Sequence, residues 1–317
     1  MTVDKDSKVA AVVVTYNRLQ LLKECIEALR NQTYKNLDLV IVNNGSTDGT
    51  GEWLASQKDL IVITQENLGG AGGFNTGMRY AAEHDYDYCW VMDDDVICDR
   101  DTLSEMFNAA SAIKEDWGFL CSSVVDKNGN PCNTPLILNW SRNKYPDWPR
   151  YLKYGMVEVM NATFVSVFVP TENIRKYGLP IKDFFIWGDD TEFTDRMSKR
   201  HPCYMVGKSR VTHMREMAKG LVFLEETNPN RIKMYKNRYR NLLYIALHCC
   251  SVKDFPVARY FVSVTLNMFK ALLSLKFKHF GVLLSGLCSA FFFHPTIEFP
   301  EKANNSLNNN EINRQVG

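Results

Sequence analysis

Residues 9–18 read Val-Ala-Ala-Val-Val-Val-Thr-Tyr-Asn-Arg, a continuous apolar run that changes abruptly to polar residues at Thr15. A short run rich in β-branched residues predicts a strand buried on both faces. Apolar residues at helical spacing follow over 19–29. Three more short apolar runs continue the pattern, at 37–42, 60–63 and 88–92. This alternation predicts an α/β fold with a Rossmann-like, mostly parallel sheet and helices on both faces.

Helical spacing also follows a predicted glycine-rich turn at 69–73, over residues 74–82. Beyond residue 100 we predict helices at 101–113 and 191–200, and strands at 118–125, 157–169 and 203–206. The stretch 134–155 is long, irregular and aromatic, with Trp140, Tyr145, Trp148, Tyr151 and Tyr154. Loops of this length more often line a functional site than merely connect two elements. We therefore expect this stretch to border a site at the carboxyl ends of the strands, where such sheets bind ligands.

The composition is that of an ordinary globular protein, with 45% hydrophobic and 23% charged residues in 317, which excludes disorder for the bulk of the chain. Lys and Arg number 37 against 36 Asp and Glu, so no basic excess indicates a nucleic-acid partner. Nine cysteines at scattered spacings fit a reduced, cytoplasmic protein. Residues 1–8 are charged and lack the apolar core of a secretory signal.

Three consecutive carboxylates, Asp93, Asp94 and Asp95, follow the fourth predicted strand. Carboxylates this close raise one another's pKa unless a cation holds them. A hard divalent cation takes oxygen ligands and keeps coordination positions free for substrate phosphates. In extended backbone alternate residues share a face, so we expect Asp93 and Asp95 to point together and Asp94 to point away. The alternative is a solvated acidic turn that caps the next helix.

Four other features are candidates for a chemical role. Residues 66–77 contain five glycines, which form either a tight turn or a helix start that presents N–H groups to an anion. Trp187-Gly188-Asp189-Asp190 precedes a predicted helix, so each aspartate is a candidate for the helix N-cap or for a general base. A lone histidine such as His213 is more often structural than a ligand. Residues 214–227 are expected to form a mobile lid over an anionic substrate.

The C-terminal region combines basic and apolar residues. Residues 231–278 contain ten Lys or Arg and one acid, Asp254. No stretch reaches the ~20 uncharged apolar residues that a bilayer-spanning helix needs. The pattern predicts either a basic amphipathic helix on an anionic membrane surface or a helical region packed on the first domain. We expect a catalytic domain over 1–228, this helical region over 229–300 and a disordered polar tail over 301–317.

Four motifs in order resemble those of the family 2 glycosyltransferases, which are inverting, metal-dependent enzymes of the GT-A fold. The motifs are VTYNR at 14–18, NNGSTDGT at 43–50, NLGGAGGF at 67–74 and DDD at 93–95. The resemblance covers residues 9–213. Within the family, GGAGGF at 69–74 together with WGDDTE at 187–192 is most similar to bacterial galactofuranosyltransferases. Rhamnosyltransferases that use dTDP-sugars share the first motif and the acidic triplet.

The resemblance implies roles for the matching residues. Thr15, Asn17 and Arg18 would line the nucleotide, and Asn44 would face uracil or ribose. At position 43 the family usually has Asp where this chain has Asn43. Further donor contacts would come from Gly69, Gly70, Gly72, Gly73, Asp94 and Trp187. The resemblance assigns Mn²⁺ or Mg²⁺ to Asp93, Asp95 and His213, the acceptor-deprotonating base to Asp190, and sugar or acceptor positioning to Asp189.

The implied reaction moves galactofuranose from UDP-galactofuranose onto a growing, lipid-linked cell-surface polysaccharide, with the enzyme peripheral on the inner face of the plasma membrane. Transfer of rhamnose from dTDP-rhamnose is the alternative. A nucleotidyltransferase is a more remote one, because it would carry a basic, glycine-rich loop where residues 15–18 are poor in glycine. A non-catalytic sugar-nucleotide-binding or membrane-binding scaffold is disfavoured by the intact Asp93, Asp95, Asp190 and His213. Nothing in the sequence indicates an oligomeric state.

Overall fold

The strands of the chain form one sheet flanked by helices. The structure, a computed structural model, describes residues 6–138, 147–214, 222–249 and 257–301. Its strands are β1 Val9–Thr15, β2 Leu37–Asn43, β3 Leu60–Thr64, β4 Tyr88–Asp93, β5 Val96–Cys98, β6 Leu120–Asp126, β7 Met156–Glu158, β8 Val167–Pro170 and β9 Tyr204–His213. Its helices are α1 Leu19–Arg30, α2 Thr50–Ala55, α3 Gly69–Glu83, α4 Thr102–Ala112, α5 Thr171–Tyr177, α6 Asp189–Ser198, α7 Pro229–His248, α8 Val257–Leu273 and α9 Phe277–Ala290.

The sheet confirms the predicted α/β class. Its order is β3-β2-β1-β4-β8-β6-β9-β5, with β7 beside β9. Strands β1 to β4 are parallel, as predicted. Beyond β4 the sheet is mixed, because β8 runs antiparallel to β4 and β6, and β9 runs antiparallel to β5 and β7. The long alternation of strand and helix that parallel pairing requires is confined to the first half of the chain.

Strand β1 is buried on both faces, as its apolar run predicts. Val9, Ala11 and Val13 pack in the cluster that contains α1 and α4, and the alternate residues pack in the cluster that contains α3. A Cβ at Gly73 or Gly77 of α3 would lie 2.4 or 2.2 Å from a valine methyl of β1. This close approach explains why α3 begins at Gly69, whereas we predicted a turn over 69–73 with the helix starting at 74. Helix–sheet packing offsets the low helix propensity of glycine.

Three other predicted boundaries change. The strand predicted at 157–169 is two short strands, β7 and β8, and the strand predicted at 203–206 extends to His213 as β9. Helix α6 starts at Asp189 with Gly188 as its N-cap, so neither aspartate caps it.

Trp140 and Tyr145 of the aromatic loop, lid residues 215–221 and the tail from 302 lie outside the described residues.

The C-terminal helices pack on one another and on the first domain. Helices α7, α8 and α9 share a core that includes Tyr235, Tyr239 and Leu283. The segment after α9 then returns to the first domain, where the Glu298 carbonyl accepts a hydrogen bond from Leu179 N and its carboxylate pairs with Arg79. None of the helices in the described ranges is long and apolar enough to cross a bilayer. The boundary at residue 228 stays a prediction.

Candidate active site

Strands β1 and β4 create the position of the site. The chain goes from β1 to β2 and β3 on one side, then returns to place β4 on the other side of β1. At such a switch point the connections diverge and leave a crevice at the carboxyl ends of the strands. Asp93 ends β4 opposite Val14, and Thr15 ends β1. His213 ends β9, where its pairing with Val96 of β5 places it beside the acidic triplet.

Asp93, Asp95 and His213 converge, as the sequence predicts. One ligand atom from each lies within 4.8 Å of the others. His213 Nε2 is 3.1 Å from Asp95 Oδ1, and His213 Nδ1 is 3.0 Å from Asn133 Oδ1. An amide oxygen only accepts hydrogen bonds, so in the neutral ring Nδ1 carries the hydrogen and the Nε2 lone pair faces Asp95.

The donor set fits a divalent cation. Within the described residues, Asp95 Oδ1 is one of three buried side-chain polar atoms without a well-directed hydrogen bond. With a neutral ring it faces the lone pair of His213 Nε2, and two lone pairs with no hydrogen between them favour a cation at this point. Either a proton on Nε2 or a metal ion supplies that cation. Two carboxylates and an imidazole are donors that Mn²⁺ accepts, and Mg²⁺ accepts the carboxylates. Asn133 would orient the histidine ring, a role that sequence reasoning missed because nothing local marks this asparagine.

Asp94 points away from this trio, although not for the predicted reason. Strand β4 ends at Asp93, and the next two residues form a turn rather than extended backbone. Asp94 accepts a hydrogen bond from Thr15 Oγ1 at 2.7 Å. Arg18 Nη1 lies 3.3 Å from Asp94 Oδ1 and 2.8 Å from Asp95 Oδ2. Arg18 is half-exposed, so it both neutralises the triplet and presents positive charge to the crevice.

The three aspartates of the triplet differ in pKa. Burial raises the pKa of Asp93 well above its usual value, Asp95 and Asp94 raise it further, and the neighbouring charge of Asp189 adds to the effect. Burial also raises the pKa of Asp94 to about 6, against the opposing effect of Arg18. Burial alone would raise the pKa of Asp95, but His213 and Arg18 hold it below its usual value. A cation beside Asp93 would stabilise its charged form.

Asn44 has a different role from the predicted contact with uracil or ribose. Its Nδ2 donates to Asn67 Oδ1 and to the Gly69 carbonyl, and its Oδ1 accepts from Gln65 Nε2 and Leu68 N. Asn44 is only 2% exposed, and these four bonds use its full hydrogen-bonding capacity. The predicted nucleotide contact is therefore wrong in this structure, and Asn44 instead holds the loop that leads into α3.

Asn17 and Asp48 join the first two motifs. Asn17 has a left-handed φ of 54°, its N–H donates to Ser46 Oγ, and its Oδ1 accepts from Thr47 N at 2.7 Å. Asp48 accepts from Leu19 N at the start of α1 and from Thr50 N at the start of α2. These bonds fix the loops after β1 and β2 to each other. Asn43, where the family usually has Asp, accepts from Ser46 N within the same loop.

The predicted donor-binding glycines differ in their surroundings. Gly69 has φ +72°, and a Cβ there would lie 2.0 Å from the Phe185 carbonyl oxygen, which also accepts from Ala71 N. A Cβ at Gly72 would meet Leu68, and Gly73 packs on β1 as described above. Gly70 borders open space. Packing therefore accounts for three of these glycines, and their contact with a donor stays a prediction.

The loop before Asp189 is held by α7. Phe185, Trp187 and Gly188 all have left-handed backbone, with φ of 62°, 66° and 99°. Asn241 of α7 is 1% exposed, and its Nδ2 lies 2.8–3.1 Å from the carbonyl oxygens of Phe184, Ile186 and Trp187. Such strained loops persist only where surrounding contacts fix them. Sequence reasoning missed Asn241, although its place one turn before the buried Ile245 marks a polar residue on a buried helix face.

Replacing Asn241 with Leu is expected to lower kcat for sugar transfer about tenfold or more while UDP affinity stays unchanged. The change removes the Asn241 hydrogen bonds to the carbonyls of Ile186 and Trp187, whereas Phe184 O keeps Ile186 N and Arg240 as donors. A buried carbonyl left unpaired costs ~1–3 kcal/mol, and the loss frees the loop that carries Asp189 and Asp190. Asn237→Leu, one turn earlier on α7, is the matched control. Steady-state kinetics and UDP titration would check the prediction. An unchanged kcat, or an equal loss of UDP affinity, would contradict it.

Asp189 and Asp190 begin α6 at the other wall of the crevice. Asp189 is buried, and burial followed by the charge of Asp190 raises its pKa to about 8. Burial also raises the pKa of the half-buried Asp190, although Thr191 N donates to its Oδ1 at 2.6 Å. A carboxylate whose pKa lies closer to neutrality accepts a proton more effectively, which suits a general base. Trp187 packs its ring on Tyr235 at 4.9 Å and is half-buried.

Without divalent cation, Asp189→Asn is expected to stabilise the protein, and more so at pH 8 than at pH 5. The pKa of Asp189 is about 8 when folded and ~3.9 when unfolded, so ionisation costs stability that grows between these values. Removing the charge should gain at least ~1 kcal/mol at pH 8, or roughly 2–4 °C in Tm. Thermal unfolding at both pH values checks this, with the exposed Asp183→Asn as control. An equal gain at both pH values would contradict the assignment.

The sheet and the crevice at its carboxyl edge have the architecture of the GT-A fold. The fold superposes on the mannosyltransferase PcManGT from Pyrobaculum calidifontis, solved with GDP-Man and Mn²⁺, with a TM-score of 0.51 and 16% identity over 90% of this chain and 87% of that one. At that identity the likeness concerns the fold alone. Residues 10–165, just under half of the chain, match the family described as Glycosyl transferase family 2.

Two curated relatives extend the comparison. Galactofuranosyltransferase GlfT1 from Mycolicibacterium smegmatis is 37% identical over 204 residues, 60% of this chain and 65% of that protein. Glycosyltransferase GlyA from Streptococcus pneumoniae is 33% identical over 106 residues, 32% of this chain and 15% of that protein. The matched part of this chain thus spans less than two thirds of either relative.

Proposed function

We propose that the protein is an inverting hexosyltransferase that moves galactofuranose from UDP-galactofuranose to a hydroxyl of a growing cell-surface polysaccharide. The observation that carries the proposal is the convergence of Asp93, Asp95 and His213 at the β1–β4 switch point, electrostatically coupled to Asp189. The choice of sugar is supported by the similarity to GlfT1 and by the pairing of GGAGGF with WGDDTE.

In this mechanism Asp93, Asp95 and His213 would hold Mn²⁺ or Mg²⁺, which when bound neutralises charge on the UDP leaving group. Arg18 adds a positive charge next to the same carboxylates. Asp190 takes the proton of the acceptor hydroxyl. The oxygen then attacks the anomeric carbon from the face opposite UDP, and the bond from that carbon to UDP breaks. With Asp190 as the base and Asp189 in a positioning role, no carboxylate attacks the sugar, so the reaction is a direct displacement with inversion.

The acceptor in this proposal is a lipid-linked glycan, so transfer takes place at the cytoplasmic face of the plasma membrane with the enzyme peripheral to it. The basic, apolar C-terminal helices support this location. Trp187 and the described aromatic residues of the loop, Trp148, Tyr151 and Tyr154, are candidates for stacking on sugar rings. Tyr151 is buried and bonded to Glu115, which makes it the weakest of them.

A donor screen tests the proposal. Purified protein with Mn²⁺ would be offered a panel of UDP- and dTDP-sugars, and consumption of each would be followed with Asp190→Ala as the inactive control. We expect UDP-galactofuranose to be consumed and the product linkage to be inverted by NMR. Preferential use of dTDP-rhamnose would overturn the sugar assignment in favour of rhamnosyl transfer. Failure to use any sugar nucleotide would overturn the enzyme assignment.

A further inference from the structure

Half of the exposed large apolar side chains in the described residues lie on or next to α8 and α9. Of the 22 large apolar side chains that are exposed among the described residues, 11 lie between Phe261 and Phe292. Six of them form a continuous stripe, here called the tip face, with exposed fractions of 53–73%: Val262, Leu266, Phe269, Leu273, Leu275 and Phe277. Large contiguous apolar patches on soluble domains mark interaction sites.

The tip face lies along one side of the α8–α9 pair. Its four α8 residues are spaced by four, three and four positions, so they lie on one side of the helix. Tyr260, Val264 and Ala271 on the opposite side are at most 1% exposed and pack inward. Leu275 lies in the turn, and Phe277 continues the stripe at the start of α9. The α8–α9 pair thus buries one side and presents the other outward.

The charged residues within α8, α9 and the turn between them are all basic. Lys270, Lys276 and Lys278 are exposed within the same stretch, and residues 257–297 contain no Asp or Glu. Two copies of the chain meeting face to face would oppose like charges with no acid to pair them. An anionic lipid surface instead offers negative charge for the lysines and hydrocarbon for the apolar stripe.

We propose that the tip face docks the protein on an anionic bilayer, with Leu273, Leu275 and Phe277 inserted and Lys270 and Lys278 at the headgroups. This inference rests on the proposed function in one respect: the lipid-linked acceptor is the reason for the enzyme to bind a membrane. Helix α7 packs against both α8 and α9 and bonds to the loop before Asp189 through Asn241. Helix α7 therefore connects the docking surface to the catalytic crevice.

The test is flotation of the full chain with phosphatidylcholine vesicles, with and without phosphatidylglycerol. We expect wild type to float with the anionic vesicles, to be released by high salt, and to ignore the neutral ones. The triple variant Leu273→Ser/Leu275→Ser/Phe277→Ser should bind at least tenfold more weakly, and Lys270→Gln/Lys278→Gln should lower binding to anionic vesicles. Leu136→Ser/Ile137→Ser removes two exposed apolar residues elsewhere, 48% and 46% exposed, and should float like wild type.

Flotation of the triple variant equal to that of wild type would overturn the proposal. So would a wild-type dimer in ultracentrifugation that dissociates in the triple variant without any vesicle binding, because a second copy would then occupy the tip face. UDP titration with Mn²⁺ on each variant keeps this test separate from the enzymatic one. A variant that no longer floats but still binds UDP has lost membrane docking and kept its nucleotide site. Normal flotation of wild type together with a failed donor screen overturns the proposed function alone.

Discussion

Replacing Asp95 with Ala is expected to abolish Mn²⁺-dependent enhancement of UDP binding and to lower sugar transfer by roughly a thousandfold. A metal ion that stabilises a leaving group contributes several kcal/mol, and each 1.36 kcal/mol corresponds to about tenfold in rate. Asp95 is central because its Oδ1 faces His213 Nε2 and its Oδ2 pairs with Arg18. Calorimetric titration of UDP with and without Mn²⁺ measures the effect directly.

Three further variants serve as comparisons for Asp95→Ala. Asp99→Ala removes an exposed aspartate four residues away and should change neither UDP affinity nor transfer. Asn133→Ala should weaken Mn²⁺ binding by about 10–100-fold without abolishing it, since it removes the partner that orients a ligand rather than a ligand. Asp95→Asn keeps the shape of the side chain and shows whether any loss comes from misfolding. Unchanged UDP affinity in the presence of Mn²⁺ in both Asp95 variants would refute the ligand role.

Replacing Asp190 with Asn is expected to lower transfer by about 10²–10⁴-fold, the usual contribution of a general base, with UDP affinity in Mn²⁺ unchanged. The side chain keeps its shape, and Asn Oδ1 can still accept from Thr191 N, so the start of α6 should be preserved. Single-turnover transfer together with UDP titration separates chemistry from binding. The exposed Asp183→Asn, just before this loop, serves as the control.

The pH profile gives a second readout of the same residue. A base acts only when deprotonated, and burial raises the pKa of Asp190 while the adjacent Asp189 reaches about 8. Wild-type kcat should therefore keep rising with pH above pH ~5, where the rate supported by an ordinary aspartate would level off. The residual activity of Asp190→Asn should lose this rise. A variant that retains wild-type rate and profile would move the base to another residue.

Local signals in the sequence were sufficient for the first half of the fold and for an acidic cluster at the end of β4, whereas His213 entered the candidate metal site through the family resemblance. The apolar run of β1 predicts burial on both faces, and the aspartates after β4 predict a cation site at the sheet edge. The mixed pairing of β8 and β9 was not predictable, because register across distant strands depends on tertiary packing. The role of Asn44 was also missed, since its four bonds depend on how the loop after β3 folds back.

The bond from Asn241 to the loop before Asp189 also affects how this protein can be divided. A fragment ending at residue 228 would keep the sheet, the acidic triplet and His213, and would still be able to take up nucleotide. It would lack α7, so the left-handed turn over 185–188 would lose its three amide contacts and the packing of Ile245 near Gly188. The smallest catalytically competent unit therefore crosses the boundary that the sequence alone suggests.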